Sequence, residues 1–519
     1  MGVFFGLCPK NTPNLQAATV SAYQPQKSAM RKVNEMKTYH KFMVLFLLLA
    51  MLVSLANFQP AAARQTVSFV VDSSLDDSSA HDKNPGDGNC LSTLDECTLR
   101  AAIEETNALG GENTITFASP MTIYLDSGEG TLTIEAATIL NASGVWNDAE
   151  DRPGVNINGV DQSISCFTIL ADYAHIYGFY IYNCDTAITI YSSYSIIGDQ
   201  PVGARNVISN NADYGIYIGN ADAHHNLIQC NWIGLGIAGS DAVPNKIGIY
   251  IVAGAHDNII GGYQSWQGNY ISGNTNAGVY IAGSGSNGNL LGGNFIGPPA
   301  VGSQKIGNGE HGIMIASGAQ SNRVGGDVLA GNTISMNGLR GISINNSHNN
   351  IVEANTIRQN GDDGIYILDG SGNTILSNTI AENVRKGITI SGTSATGNVI
   401  SKNSIYGNSL GGIDLRDGGN ANRAAPDIFA ADTAGAWGTA CAFCTVEVFS
   451  DSSNQGQTYH GFTSADGDGN WNYYGDITGP KVTAITIDAG GNTSEFSLPC
   501  TFGPQIPVEI IYLPMMVKK

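Results

Sequence analysis

Gly215-Ile-Tyr-Ile218, Gly248-Ile-Tyr-Ile251, Gly278-Val-Tyr-Ile281, Gly312-Ile-Met-Ile315, Gly341-Ile-Ser-Ile344, Gly364-Ile-Tyr-Ile367, Gly387-Ile-Thr-Ile390 and Gly412-Ile-Asp-Leu415 are eight copies of one phrase. The glycines follow one another at steps of 33, 30, 34, 29, 23, 23 and 25 residues. A phrase returning at such a period marks a solenoid. Two aliphatic residues flanking one variable position mark a short strand with one face buried. Each copy is followed by a second phrase led by asparagine, as in Asn226-Leu-Ile228, Asn258-Ile-Ile260, Asn350-Ile-Val352, Asn373-Thr-Ile375 and Asn398-Val-Ile400. A third often comes five residues later, as in Asn355-Thr-Ile357, Asn378-Thr-Ile380 and Asn403-Ser-Ile405. Each coil thus holds three strands separated by Gly-, Asn-, Ser- and Asp-rich turns, with no segment of helical period long enough for crossover helices. The expected fold is all-β, a right-handed parallel β-helix of roughly a dozen coils over residues 114–425. Buried amides must be paired. The repeated asparagines are therefore expected to hydrogen-bond to one another along the solenoid axis.

The two ends read differently. Residues 97–109 (CTLRAAIEETNAL) carry an N-cap at Thr98 and a stop at Gly110-Gly111, which predicts a helix laying Leu99, Ala102, Ile103 and Thr106 over the first coil. An open solenoid edge invites aggregation, so a cap is expected there. Beyond residue 426, Thr445-Val-Glu-Val-Phe449, Gly469-Asn-Trp471 and Val482-Thr-Ala-Ile-Thr-Ile487 alternate between turns, which predicts a small β-sandwich over 426–502. The stretch Val508-Glu-Ile-Ile-Tyr-Leu-Pro514, within a tail at 503–519, reads as a final strand or as a sorting signal.

Lys37 and Lys41, an apolar run over residues 41–56 and Ala61-Ala62-Ala63 form a secretory signal, so residues 1–63 are read as a signal peptide with an upstream extension. The chain of 519 residues carries a net charge of −20; without residues 1–63 it keeps 18 basic and 43 acidic residues. That balance argues against nucleic acid as a partner. No remaining segment is long enough to span a membrane. Export permits disulfides. Cys90 and Cys97 are close in sequence, as are Cys166 and Cys184, while Cys441, Cys444 and Cys500 frame the C-terminal region and Cys230 falls outside these groups. The expected location is the cell surface or the medium.

Asp87-Gly-Asn-Cys90, Cys97-Thr-Leu-Arg-Ala-Ala-Ile103 and Thr106-Asn-Ala108 together resemble the CSLREA-type N-terminal module of exported bacterial proteins, placed here at residues 64–113. Thr98 and Ala101 stand where that module has Ser and Glu. The repeats are similar to the parallel β-helix repeats that commonly follow it, and the C-terminal phrases are similar to bacterial Ig-like modules. These resemblances imply architecture and export. They leave function open, because the fold hosts many activities.

For chemistry, Gly361-Asp-Asp-Gly364 resembles the paired-carboxylate phrase of polygalacturonases, which implies Asp362 and Asp363 as acid and base. The companion phrases of that family are missing, and the residues before the repeat glycine vary freely. A lyase would use a basic residue such as Arg340 or Lys386 beside Asp363 and Asp369, with Ca2+ as its cofactor; otherwise no cofactor or metal is expected. The outward position of the phrase holds Tyr217, Tyr250, Tyr280, Met314, Ser343, Tyr366, Thr389 and Asp414. Its tyrosines either stack on sugar rings or shield a flat sheet by stacking on each other. The favoured expectation is a non-catalytic, adhesin-like scaffold for polysaccharide or a cell-surface ligand; the alternative is a lyase or hydrolase of acidic glycans.

Overall fold

The computed structural model describes residues 6–7, 66–199, 203–326 and 331–502. The features below belong to the described residues. The signal peptide expected within residues 1–63 and the tail at 503–519 lie outside the described residues.

The glycine phrases stack into one parallel sheet of 11 strands running from Leu132–Ile134 to Gly411–Arg416. Ile216 pairs with Ile249, Ile249 with Val279, Val279 with Ile313, and so on through Ile342, Ile365 and Ile388 to Ile413. The second phrase forms a 12-stranded parallel sheet ending at Val399–Ser401, and the third an 11-stranded one ending at Ser404–Tyr406. Each strand is two to six residues long, and the inward aliphatics of all three sheets meet in one core in which Ile216, Ile249, Ile342 and Ile365 are fully buried. Register is forced because a slip of one residue would turn every isoleucine to solvent. The phrase glycine is required by space: a Cβ on Gly364 would lie 2.6 Å from the Ile380 side chain and 2.7 Å from the Gly387 carbonyl.

Asparagine does more than stack once per coil. Three buried ladders run along the solenoid, one before each sheet. One joins Asn226, Asn258, Asn289, Asn322, Asn350, Asn373 and Asn398. A second runs from Asn206 through Asn231, Asn269, Asn294, Asn332, Asn355 and Asn378 to Asn403. The third runs from Asn211 through Asn245, Asn274, Asn308, Asn337, Asn360 and Asn383 to Asn408. Asn258 shows how complete the pairing is. Its Oδ1 accepts from the backbone N–H and the Nδ2 of Asn226, and its Nδ2 donates to the Ala223 carbonyl and to Asn289 Oδ1. All four hydrogen-bonding capacities of the amide are used.

The helix Leu99–Leu109 forms as expected, with the Thr98 side chain accepting from Ala101 N–H and Gly110 at its end. Leu99, Ala102 and Ile103 join the solenoid core. Two further residues of the helix are buried with partners from the preceding loop. Arg100 makes a paired contact with Asp76 at 2.7 and 2.9 Å, and Glu105 accepts from the backbone N–H groups of Gly86 and Gly88.

At the other end the chain forms two four-stranded antiparallel sheets. One contains Asp427–Asp432, Gly435–Thr439 and Asn470–Tyr474; the other contains Thr445–Asp451, Thr458–Ser464, Lys481–Ile487 and Cys500–Thr501. Side chains from this region satisfy backbone groups that the last coil leaves open. Glu447 accepts from Ser401 Oγ and Lys402 N–H, Thr493 from Ile400 N–H, Asn492 from Gly397 N–H and Glu495 from Leu415 N–H. Gln455 both accepts from and donates to the Asn408 backbone and so closes the third ladder. Disulfides join Cys90 to Cys97, Cys166 to Cys184 and Cys441 to Cys444, and Cys500 is also disulfide-bonded. Among the described residues no helix is long and apolar enough to cross a membrane.

Candidate ligand-binding face

The outer face of the glycine-phrase sheet changes chemistry along the axis. In the earlier coils it is aromatic. Tyr217 pairs in register with Tyr250, and Tyr250 with Tyr280. Tyr217 and Tyr250 rings are 5.8 Å apart, Tyr250 and Tyr280 5.1 Å, and Tyr214 lies 5.6 and 5.1 Å from Tyr217 and Tyr250. The rings are half-buried, and burial raises the pKa of all three stripe tyrosines. The sheet brings these tyrosines together, and they pack on one another. The fourth candidate, Tyr366, stands three coils further on, beneath the Arg340 guanidinium at 3.8 Å.

From Arg340 onward the face is charged. The positions just before the repeat glycine align His311, Arg340, Asp363 and Lys386 on successive coils, because the phrases are in register. Arg340 and Arg385 approach the carboxylate of Asp362 from the coils on either side, at 3.5 and 3.4 Å. Lys386 and Arg416 both reach Asp414, Lys386 at 3.4 Å. In each group the carboxylate lies underneath, with side-chain exposures of 16% and 18%, while Arg385 and Arg416 stand out at 44% and 36%.

Asp363 is only 2% exposed, and its Oδ1 accepts from the Lys386 backbone N–H at 2.9 Å. Burial raises its pKa. Its carboxyl is part of the turn that holds the next coil. Asp369 sits beyond the opposite end of its strand, Ile365–Leu368, and accepts from Ser394 Oγ. His311 is buried, and desolvation followed by the Arg340 charge lowers its pKa to about 4, so its ring is neutral at neutral pH. Its Nδ1 accepts from the Arg340 backbone N–H at 3.4 Å, which leaves the ring proton on Nε2.

The structure thus gathers Arg340, Asp362, Asp363, Lys386 and Tyr366 into one band, separate along the axis from Tyr217, Tyr250 and Tyr280. Reading residues singly does not select His311, Arg385 or Arg416, and Asp414 enters only as an outward position of the last phrase. The signal that finds them is alignment on the glycine, since Arg385 lies two residues before it, and Asp414 and Arg416 two and four residues after it.

A family described as the right handed beta helix region matches residues 258–429. No curated protein matches the chain. Solved structures with a similar fold include the A-module of the Azotobacter vinelandii mannuronan C-5 epimerase AlgE4, at 13% identity and a TM-score of 0.33 over 62% of this chain and 89% of that one. The periplasmic alginate epimerase AlgG is similar at 15% identity and a TM-score of 0.34, covering 59% of this chain and 76% of its own. A tailspike protein of Escherichia coli bacteriophage HK620, solved with a pentasaccharide, has 12% identity and a TM-score of 0.35, covering 75% and 88%. At these values the likeness carries nothing about activity.

Proposed function

We propose that the protein is an exported β-helix scaffold that binds polysaccharide at or beyond the cell surface without cleaving it, and that the outer face of the glycine-phrase sheet is its binding face. The observation that carries this reading is how the carboxylates are used. Acid–base hydrolysis needs two carboxyl groups free to flank one bond. Asp362 is held between two arginines, and Asp363 is buried against a backbone N–H. A lyase needs a base for a proton beside a carboxylate. His311 is neutral, but its Nδ1 is engaged and its Nε2 bears the proton. Lys386 is committed to Asp414. A half-buried tyrosine row beside a charged band is suited to lie along a sugar chain.

The organisation proposed with it is an N-terminal CSLREA-like cap at residues 64–113, the β-helix at 114–425 and an Ig-like sandwich at 426–502. The disulfides support an oxidising compartment. The test is to incubate purified protein with pectin, alginate and neutral glucans. Retention of a glycan without new reducing or unsaturated ends is the expected result. Chain scission abolished by Asp363→Ala would replace this reading with the enzymatic one, in which a lyase would call for Ca2+.

A further inference from the structure

The charged band is built with more cations than its carboxylates can use. Asp362 has two arginines and Asp414 has a lysine and an arginine, while the neighbouring Asp363 carboxyl is buried and turned to the Lys386 backbone N–H. Of the other acids near these coils, Asp369 and Asp417 are engaged by Ser394 and Ser391, Glu353 by Arg323, Glu382 by Gln359 and Glu495 by the Leu415 backbone N–H, while Glu310 stands exposed two residues before Gly312. Stability does not account for this arrangement. An exposed ion pair contributes little, and a second cation on the same carboxylate adds repulsion between the cations. Desolvation of extra charge is also unfavourable in a fold that elsewhere uses one-to-one pairs, such as Lys246 with Asp213 and Arg323 with Glu353. The chain as a whole is strongly acidic, at −20. Each of these two clusters carries one cation beyond its own carboxylate, and an anion from outside would complete it.

We infer that this band binds a carboxylated glycan, with Arg385 and Arg416 as the outward contacts to its carboxylates. The inference rests on the polysaccharide-binding reading and names the chemical class of the ligand. Geometry supports it in three ways. The half-buried carboxylates hold the cations from below and leave Arg385 and Arg416 as the more exposed partners, and arginine presents a planar fork that matches a carboxylate. Tyr366 fixes Arg340 by stacking, which lowers the cost of ordering it. The band continues the tyrosine row along the same sheet, so one extended chain meets both rings and charges. Screening over about 8 Å at physiological ionic strength confines the attraction to this band. A duplex nucleic acid, with one charge per about 1.7 Å, would be repelled by the surrounding acidic surface.

The experiment compares the full chain with the double variant Arg385→Gln/Arg416→Gln. Each carboxylate then keeps one cation, Arg340 or Lys386, so the fold retains its pairs. Arg323→Gln, on the 12-stranded sheet, is the control. Polygalacturonate, alginate and neutral dextran are titrated at low and high salt, and thermal unfolding is recorded alongside. The expected result is binding of the two carboxylated polymers that weakens with salt and falls about tenfold in the double variant, from two contacts of ordinary exposed strength. Unfolding and the control's affinity should be unchanged. Equal binding of dextran, or carboxylated-glycan binding undiminished in the double variant, would overturn the inference while leaving the polysaccharide reading in place. Failure to bind any of the three would count against both.

Discussion

Asn360→Ala removes one rung from the third ladder, and the structure sets its cost. Asn360 Oδ1 accepts from the backbone N–H of Asn337 at 3.2 Å and from its Nδ2 at 3.0 Å. Its Nδ2 donates to the Ile334 carbonyl and to Asn383 Oδ1. Alanine leaves the Asn337 backbone N–H with no acceptor, in a position with 0–1% exposure on both rungs. It also costs Asn337 Nδ2 one of its acceptors and Ile334 O one donor. Asn383 Oδ1 still accepts from the backbone N–H of residue 360, so that group is only partly deprived. A buried polar group left unpaired costs about 1–3 kcal/mol. One full orphan and three partly deprived groups therefore predict a loss of about 2–5 kcal/mol. Asn360→Asp should be at least as damaging, since it removes both donors and adds a buried charge. Chemical unfolding followed by far-ultraviolet circular dichroism measures the loss, and amide exchange locates it, because a solenoid unfolds by neighbouring coils. Exposed Asn472→Ala, at a position without left-handed backbone, is the comparison. A loss at residue 360 below about 0.5 kcal/mol would refute the claim that the ladders hold the coils together.

Replacing Tyr217, Tyr250 and Tyr280 together with serine removes ring–ring packing, each pair being worth about 0.5–1.5 kcal/mol, so the melting temperature should fall; an unchanged melting temperature with lost glycan affinity would assign the rings to ligand instead. His311 has a folded pKa of about 4 against an ordinary value near 6.5, so the unfolded state binds the extra proton first. Stability should therefore decline as pH falls from about 6.5 toward 4, by at most about 3 kcal/mol, and be unaffected by this group above that window; His311→Gln should flatten the dependence in a denaturation series. Glu447 has its pKa raised by burial, so its ionisation opposes folding and its penalty grows as pH rises from the ordinary glutamate value through the raised one. Glu447→Gln should consequently be neutral or stabilising at neutral pH, whereas Glu447→Ala should expose the amide of Lys402 to exchange.

The solenoid was legible because its signal is local. Gly364-Ile-Tyr-Ile367 carries its own alternation, and its neighbours repeat it. The ladder led by Asn226 was legible for the same reason. The ladder led by Asn211 is set by an asparagine three or four residues before each glycine, across turns that look irregular. Closure of the last coil by Glu447, Gln455 and Thr493 was hidden, since these contacts join residues 45–93 positions apart. The cation band was partly visible through Arg340 and Lys386. Its pairing was not, because coils of 23 to 34 residues align only once the loops are known to bulge outward. Asp362 and Asp363 stood out as a pair in sequence, yet one faces two arginines and the other a backbone amide. Adjacent residues on a strand edge point to different surroundings, and no motif records that difference.

The most direct measurement follows binding and chain ends in one sample. Purified protein is mixed with a carboxylated glycan, the bound fraction is read by affinity electrophoresis, and reducing ends and ultraviolet absorbance are followed over the same hours. The account predicts retarded migration with no new ends, and migration restored by salt. New ends that appear with the protein and vanish with Asp363→Ala would contradict it.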